Sequence, residues 1–430
     1  MPTSRWIFVL GREPELSVAE IAAVAARHGV ALRWQAISDV AAIAEGAIDL
    51  QLFQELAGCV KLAEVVAEAP VDPAGLTAVL QQLLSPNHGS RVEFGFSWTS
   101  SREPKWLRGV GLTLKRELKA GGHVRFVVSR EGTLSSVVVQ KNRLLPPGGY
   151  DFVLLPAPGN RLIVGRTVAV QDFAGWSERD FGRPARAARV GMLPPKLARL
   201  MVNLATTSLD SSGTTPGPGG HGHHPAIPSG AQLKQLSCSG GLLDPFCGSG
   251  TVLQEAALLG VRDLTGADAD VRGLTRTREN LAWLKERHAG LPEPKLLTCD
   301  IRQLPARLAG HTYQAIATEP YLGPPFTGHE DERRLREIHA ELTELYRVTL
   351  KVLGNLLAPG GRICMVWPVL RSHGREYPLE LTAALGAAKL ALVNLLPTQA
   401  PAAWRTERGP LRYERPDQHV VREVALLERG

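Results

Sequence analysis

The stretch LLDPFCGSGTVLQEAALLG, Leu242 to Gly260, restricts what this chain can fold into more than any other segment. A short apolar strand ends at Asp244, a glycine-rich turn follows, and an apolar helix starts at Thr251. Gly248 and Gly250 let the backbone come close to a ligand. The helix start adds unpaired N–H groups and the positive end of its dipole. Gly-x-Gly alone also suits a dinucleotide site. That motif asks for Gly-x-Gly-x-x-Gly, however, and Leu253 stands where the third glycine belongs.

Strand and helix signals alternate from there onward. Strands are predicted at Leu264–Asp268, Lys295–Cys299, Tyr313–Ala317, Arg362–Val366 and Leu390–Leu395. Helices are predicted at Thr251–Leu259, Val271–Ala289, Asp331–Leu357 and Pro378–Ala388. In the third of these, Leu335, Ile338, Leu342, Leu345, Thr349, Val352 and Leu356 share one face, and Ala358-Pro359-Gly360-Gly361 stops it. Such alternation implies an α/β domain with a doubly wound sheet. Leu411–Tyr413, Asp417-Gln418 and Val420–Leu427 read as a terminal hairpin that adds antiparallel strands.

The upstream half follows a different pattern. Residues 5–10 read as a strand, and Ser17-Val18-Ala19-Glu20 as a capping box opening a helix. Asp39–Ala44 reads as a second strand, and Leu50–Val66 is apolar at helical spacing. A second α+β unit follows: a strand at Val92–Ser97, a helix at Trp106–Lys119, β-rich segments at Val124–Ser129 and Ser135–Lys141, and a hairpin of Asp151–Leu155 with Arg161–Arg166. A helix over Met192–Leu204 starts at Pro194 and Pro195, where proline is tolerated. The Gly/Pro/Ser/Thr-rich run beginning at Ser208 marks a flexible insertion over 208–239. Its His221, His223 and His224 have no cysteine or carboxylate at ligand spacing, so no metal is expected.

With 430 residues the chain exceeds one ordinary domain. Its net charge of +7 is unevenly spread. Residues 102–199 carry 18 Lys+Arg against 7 Asp+Glu, whereas residues 1–101 carry 6 against 11. This middle segment reads as a footprint for a phosphate backbone. Five cysteines, Cys59, Cys238, Cys247, Cys299 and Cys364, show no paired spacing, which argues against a disulfide framework or a zinc ribbon. The apolar run Trp6–Leu10 is too short for a signal segment or membrane span, so a soluble cytoplasmic protein is expected.

The full string Asp244-Pro245-Phe246-Cys247-Gly248-Ser249-Gly250-Thr251 resembles the S-adenosylmethionine loop of nucleic-acid amino-methyltransferases. Two acids at strand ends agree with it. Asp268 can accept both ribose hydroxyls, with Asp270 a close rival, and Asp300, followed by Ile301, can accept the adenine amino group. The fourth strand leads into Thr318-Glu319-Pro320-Tyr321. Amino-methyltransferases carry Asp/Asn-Pro-Pro-Tyr/Phe there. A side-chain acceptor and a main-chain carbonyl orient the amine, and the aromatic ring stacks on the base. In this chain Thr318 holds the acceptor position without a charge, and Glu319 brings a charge one residue late.

Beyond these motifs, the chain resembles the tRNA guanosine-10 N2-methyltransferase family. The resemblance rests on IFVLGREPELSVAEI, on LSSVVVQKNRLL, and on Ala169–Ala205 with its Leu193-Pro194-Pro195-Lys196-Leu197 and Asn203-Leu204-Ala205. It implies a ferredoxin-like α+β domain over 1–70, a THUMP-like RNA-binding domain over 71–175, and a Rossmann-like S-adenosylmethionine-dependent methyltransferase domain over 176–430. It further implies tRNA as partner, guanine N2 as target, and contact of the helix at Pro195 with the donor's methionine end. Arg102, Lys105, Arg108, Lys115 and Arg116 would grip phosphates, and Arg183 and Arg186 would touch the acceptor end. Two departures stand out: the insertion, and the missing leading Asp of the turn. Methylation of DNA adenine or protein glutamine uses the same turn chemistry. A protein that binds RNA but has lost catalysis is the alternative outside enzymes.

Overall fold

The computed structural model describes residues 4–84, 91–100, 102–119, 122–129, 132–186, 192–206, 240–394, 396–415 and 418–430. The insertion and its three histidines therefore lie outside the described residues. The chain divides into two compact units, the first being Met1–Ala25, Val30–Trp176 and Leu396–Ala402, and the second Ala26–Gly29, Ser177–Leu395 and Ala403–Gly430.

The first unit is built on one mixed sheet. In chain order it has β1 (Ser4–Leu10), α1 (Pro14–Arg27), β2 (Arg33–Ile37), β3 (Ala41–Gly46), α2 (Leu50–Glu55), β4 (Cys59–Pro70), α3 (Pro73–Leu84), β5 (Val92–Trp98), α4 (Leu107–Leu118), β6 (Val124–Val127), α5 (Ser136–Lys141), β7 (Gly149–Ala157), β8 (Arg161–Val170) and α6 (Phe173–Ser177). The strand order is β2-β3-β1-β4-β8-β7-β5-β6. The sheet is thus continuous across residue 70, with β4 paired to β8 along its length.

Three local expectations give way to tertiary contacts. Ser17 and Glu20 do not start a helix, because α1 begins at Pro14. The Ser17 hydroxyl reaches the carbonyls of Glu13 and Gly58, and the buried Glu20 carboxylate accepts from the N–H groups of Ala57 and Gly58 at 2.8–3.0 Å. That turn breaks the expected Leu50–Val66 helix in two. Asp49 caps α2 by accepting from Leu52 N, and beyond Gly58 the chain runs on as β4. A side chain at Gly58 would come within 2.6 Å of the Ser17 hydroxyl, so only glycine fits that approach. The valine run at 137–139 is helical rather than extended, since Ser135 caps it by accepting from Val138 N and Val139 is fully buried.

Four buried polar side chains cross the sheet of this unit. Lys61 Nζ donates to Asp151 Oδ2 (2.6 Å) and Ser97 Oγ (2.7 Å). Ser97 and Thr167 donate to the same carboxylate at 2.6 and 2.8 Å.

The second unit holds a nine-stranded sheet. Its elements are α7 (Pro195–Ala205), β9 (Leu242–Asp244), α8 (Thr251–Leu258), β10 (Leu264–Asp268), α9 (Val271–Arg287), β11 (Lys295–Thr298), α10 (Leu304–Arg307), β12 (Tyr313–Thr318), α11 (Glu332–Leu356), β13 (Leu357–Ser372), β14 (Arg375–Pro378), α12 (Thr382–Ala388), β15 (Leu390–Leu392), β16 (Leu411–Tyr413) and β17 (Val420–Arg429). The main order is β11-β10-β9-β12-β13-β17-β15. The first five of these are parallel neighbours, and β17 inserts antiparallel beside β13, as the terminal hairpin pattern suggested. α11 seats Leu335, Ile338, Leu342, Tyr346, Leu350 and Leu353 in the core of this unit. Pro194 stays extended, because a residue before proline is barred from helix, and α7 therefore starts at Pro195.

Successive strands run outward in both directions from β9, so the order reverses between β9 and β12. In such sheets the crevice at the strand C-termini at this reversal is where ligands bind.

Candidate functional site

Asp244, Asp268 and Thr318 end the three neighbouring strands β9, β10 and β12, and Asp300 follows the end of β11. The Asp244 carboxylate is 2 % exposed. Its Oδ1 accepts from Phe246 N (3.2 Å) and from the Thr318 hydroxyl (2.8 Å), while Oδ2 accepts nothing from the described residues. Burial pushes its pKa from 3.8 up to about 7. The bonds from Thr318 and Phe246 hold it down, and the charges of Asp268 and Glu319 push it further up.

The loop from Pro245 to Gly250 is shaped by its glycines and pinned from α9. Gly248 and Gly250 take φ of +52° and +79°, and a Cβ on Gly250 would meet the Thr277 side chain at 2.8 Å. The Thr277 hydroxyl donates to Gly248 O at 2.8 Å, and the fully buried Asn280 donates to Ser249 O at 2.9 Å. Cys247 is buried, and its N–H bonds Ala267 O. Gly266 on β10 allows close packing, since a Cβ there would lie 2.6 Å from Leu253. That explains how α8 packs on the sheet without a third loop glycine.

Of the two rival acids, Asp268 faces the loop and Asp270 faces the helix. Asp268 accepts from Gly248 N and Asp270 N, both at 2.8 Å. Asp270 caps α9 through Arg272 N and pairs with Arg272 and Arg276; the backbone bond from Arg272 leads in holding its pKa low. Asp300 accepts from Arg302 N, capping a short helical turn at the buried Ile301, and is half-exposed. Pro195 is buried at the start of α7, which packs on α8, β12 and β13.

Neither polar side chain at the Thr318–Tyr321 turn is uncommitted. Thr318 is fully buried and spends its proton on Asp244. Glu319 forms a nearly buried ion pair with Arg422 of β17, at 2.6 Å from Oε2 to Nε. The buried Tyr346 hydroxyl, which has no partner among the described residues, lies close enough to feel both charges. Pro320 is buried, whereas the Tyr321 ring is 52 % exposed. Replacing Glu319 with glutamine leaves Arg422 buried against a neutral partner. The expected cost is about 3 kcal/mol of unfolding free energy, read from a denaturant melt.

Three contributors escaped sequence reading: Thr277, Asn280 and Arg422. Thr277 and Asn280 did leave a trace, as polar residues on the core face of α9 beside Leu274, Leu281 and Leu284. Arg183 was expected at an RNA end. It is instead 3 % exposed and donates to Thr251 Oγ1 at 2.7 Å, while Ala185 exchanges two hydrogen bonds with the Asn280 side chain. Arg186 is exposed, its guanidinium 5.5 Å from the exposed Phe181 ring. In the first unit Arg102, Lys105, Arg108, Lys115 and Arg116 are all exposed, the last three along the outer face of α4 with Leu112 and Gly109. Among the described residues no group of three or more His, Cys, Asp or Glu is placed to hold a metal, and no helix is long and apolar enough to cross a membrane.

This fold and site define a methyltransferase domain. Residues 232–373 match the UPF0020 family model, described as RMKL-like, methyltransferase domain. The chain is 35% identical over 180 residues to a tRNA (guanine(10)-N2)-dimethyltransferase of Methanothermobacter thermautotrophicus, covering 41% of this chain and 39% of the relative. It is 24% identical over 220 residues to the enzyme of the same name from Pyrococcus abyssi, covering 51% of each. These alignments span about half or less of the relatives' length. The crystal structure of TrmN from Thermus thermophilus shares the fold over 99% of this chain and all of that one, with a TM-score of 0.51 and 18% identity.

Proposed function

We propose that this chain is an S-adenosylmethionine-dependent RNA methyltransferase that acts on the exocyclic N2 of a guanine in tRNA. The observation that carries the reading is the Asp244–Thr318 hydrogen bond, which ties the glycine loop on β9 to the Thr318–Tyr321 turn on the neighbouring β12. Bound S-adenosylmethionine supplies an electrophilic methyl group. The residues present suit it. Asp244 keeps one oxygen open toward a cation. Asp268 retains lone pairs for ribose hydroxyls beyond its two backbone bonds, and the half-exposed Asp300 can accept the adenine amino group. Tyr321 offers an exposed ring on which a flipped base can stack. Glu319 can still accept a second hydrogen bond while paired with Arg422, and a main-chain carbonyl of the turn takes the other amine proton.

RNA as the substrate is supported by the names of the curated relatives and by the outer face of α4. Its Arg108, Lys115 and Arg116 are exposed, and the open surface over Gly109 allows a backbone to approach. We assign this face to a THUMP-like region over 71–175, following a ferredoxin-like region over 1–70 and preceding the methyltransferase domain over 176–430.

The test is a methyl-labelling assay with total tRNA and labelled donor, followed by mass spectrometry of the nucleosides. N2-methylguanosine, mono- or dimethylated, is the expected product. Label appearing in DNA adenine or protein glutamine instead overturns the assignment. A second reading, an RNA-binding protein without catalysis, draws on the commitment of both Thr318 and Glu319 to partners inside the protein. Binding of donor and tRNA without transfer in a single turnover would establish it.

A further inference from the structure

Arg183 is a buried charge that the site described so far does not use. Its Nη1 donates to the Thr251 hydroxyl, but among the described residues Nε and Nη2 have no hydrogen-bond partner although the residue is 3 % exposed. A buried guanidinium with two open edges is costly unless an anion meets it. The nearby carboxylates do not serve it. Glu255 is held by Arg179 and Arg199, at 2.8 Å each, and Asp180 acts only through space. Thr251 is also the first residue of α8, whose start is Gly250 in a left-handed conformation with no side-chain cap. Arg183 and an uncapped helix N-terminus therefore address the same point. At the other end of the loop, Asp244 Oδ2 is an unmatched acceptor. The loop thus has an unmatched cation, Arg183, against its end and an unmatched carboxylate oxygen at its start, the complement of a zwitterionic amino acid.

We propose that Arg183, with the first turn of α8, binds the α-carboxylate at the amino-acid end of the methyl donor. This rests on the donor reading above. A phosphate of the RNA would offer the same chemistry, and the test separates the two.

The experiment is calorimetry of the full chain with S-adenosylhomocysteine, which has the amino-acid end, and with 5′-methylthioadenosine, which lacks it. Arg183→Met is expected to weaken S-adenosylhomocysteine roughly ten- to hundredfold, the range for hydrogen bonds to a charged group, and to leave 5′-methylthioadenosine within about twofold. Arg183→Lys, which keeps the charge but not the fork, is expected to fall between, and it carries the comparison if the methionine variant does not fold. Equal losses for both ligands indicate a structural role and overturn the proposal. Unchanged S-adenosylhomocysteine binding with weaker tRNA binding assigns the subsite to an RNA phosphate and also overturns it. A wild-type chain that binds neither ligand refutes the donor reading itself, a distinct result.

Discussion

Asp244→Asn is expected to stabilise the ligand-free chain at pH 8 while weakening its hold on the donor. Both internal bonds of Asp244 land on Oδ1, so asparagine can keep them and change only the charge. Burial places the folded-state pKa at about 7, against an ordinary 3.8. A group whose folded pKa is raised favours the folded state below its unfolded pKa and loses that advantage as pH climbs to the folded value. The wild-type chain therefore gives up stability between about pH 4 and pH 7, by roughly 4 kcal/mol over the whole window, at 1.36 kcal/mol for each pH decade. Asparagine has no such loss. Chemical melts of the two proteins should coincide near pH 4 and diverge up to pH 7, with the variant the more stable. Donor affinity should move the other way: the wild type tightens as pH rises through 7, and the variant stays flat. Parallel stability curves across this range would show that Asp244 does not titrate there.

Lys61→Met is expected to cost about 3–5 kcal/mol in the first unit, the range for removing one partner of a buried ion pair. Lys61 and Asp151 are 1 % and 0 % exposed in their side chains, and methionine leaves the carboxylate with only the Ser97 and Thr167 hydroxyls. Lys61→Met combined with Asp151→Leu should cost much less than the single change, because a hydrophobic replacement of both charges leaves none stranded. Equal costs for the single and double variants would mean that packing, not charge pairing, dominates at this position.

Lys61 also shows where sequence reading fails. It lies inside Leu50–Val66, whose apolar spacing suits a helix, and a helix would have put it on a solvated face. The chain is instead turned at Gly58 by bonds from Ser17 and Glu20, some 40 residues earlier, and Lys61 enters a sheet core. Ser17 and Glu20 matched a local capping pattern and serve a distant turn. The 137–139 valines matched a strand pattern and obey the Ser135 cap. In each case a local preference was outweighed by a long-range or capping contact that leaves no mark on periodicity. The second unit was far more legible. Its strands and helices are each bounded by their own turn residues, and parallel strands joined by helices admit few topologies. The donor-type loop and the acidic strand ends could be named because strand, loop and helix adjoin in sequence.

Sequence by itself determined most of the order of strands and helices in the second unit, though not α10 or β14, together with the glycine loop at 244–251 and the acids at the strand ends, because each follows from neighbours a few residues apart. Only the tertiary structure decided which of those groups are still open to a ligand. Thr318 is committed to Asp244 across 74 residues, Glu319 to Arg422 across 103, and Arg183 to Thr251 across 68. Hydrogen bonds saturate and buried charges must be matched, so what remains available at a site depends on partners that only folding brings together.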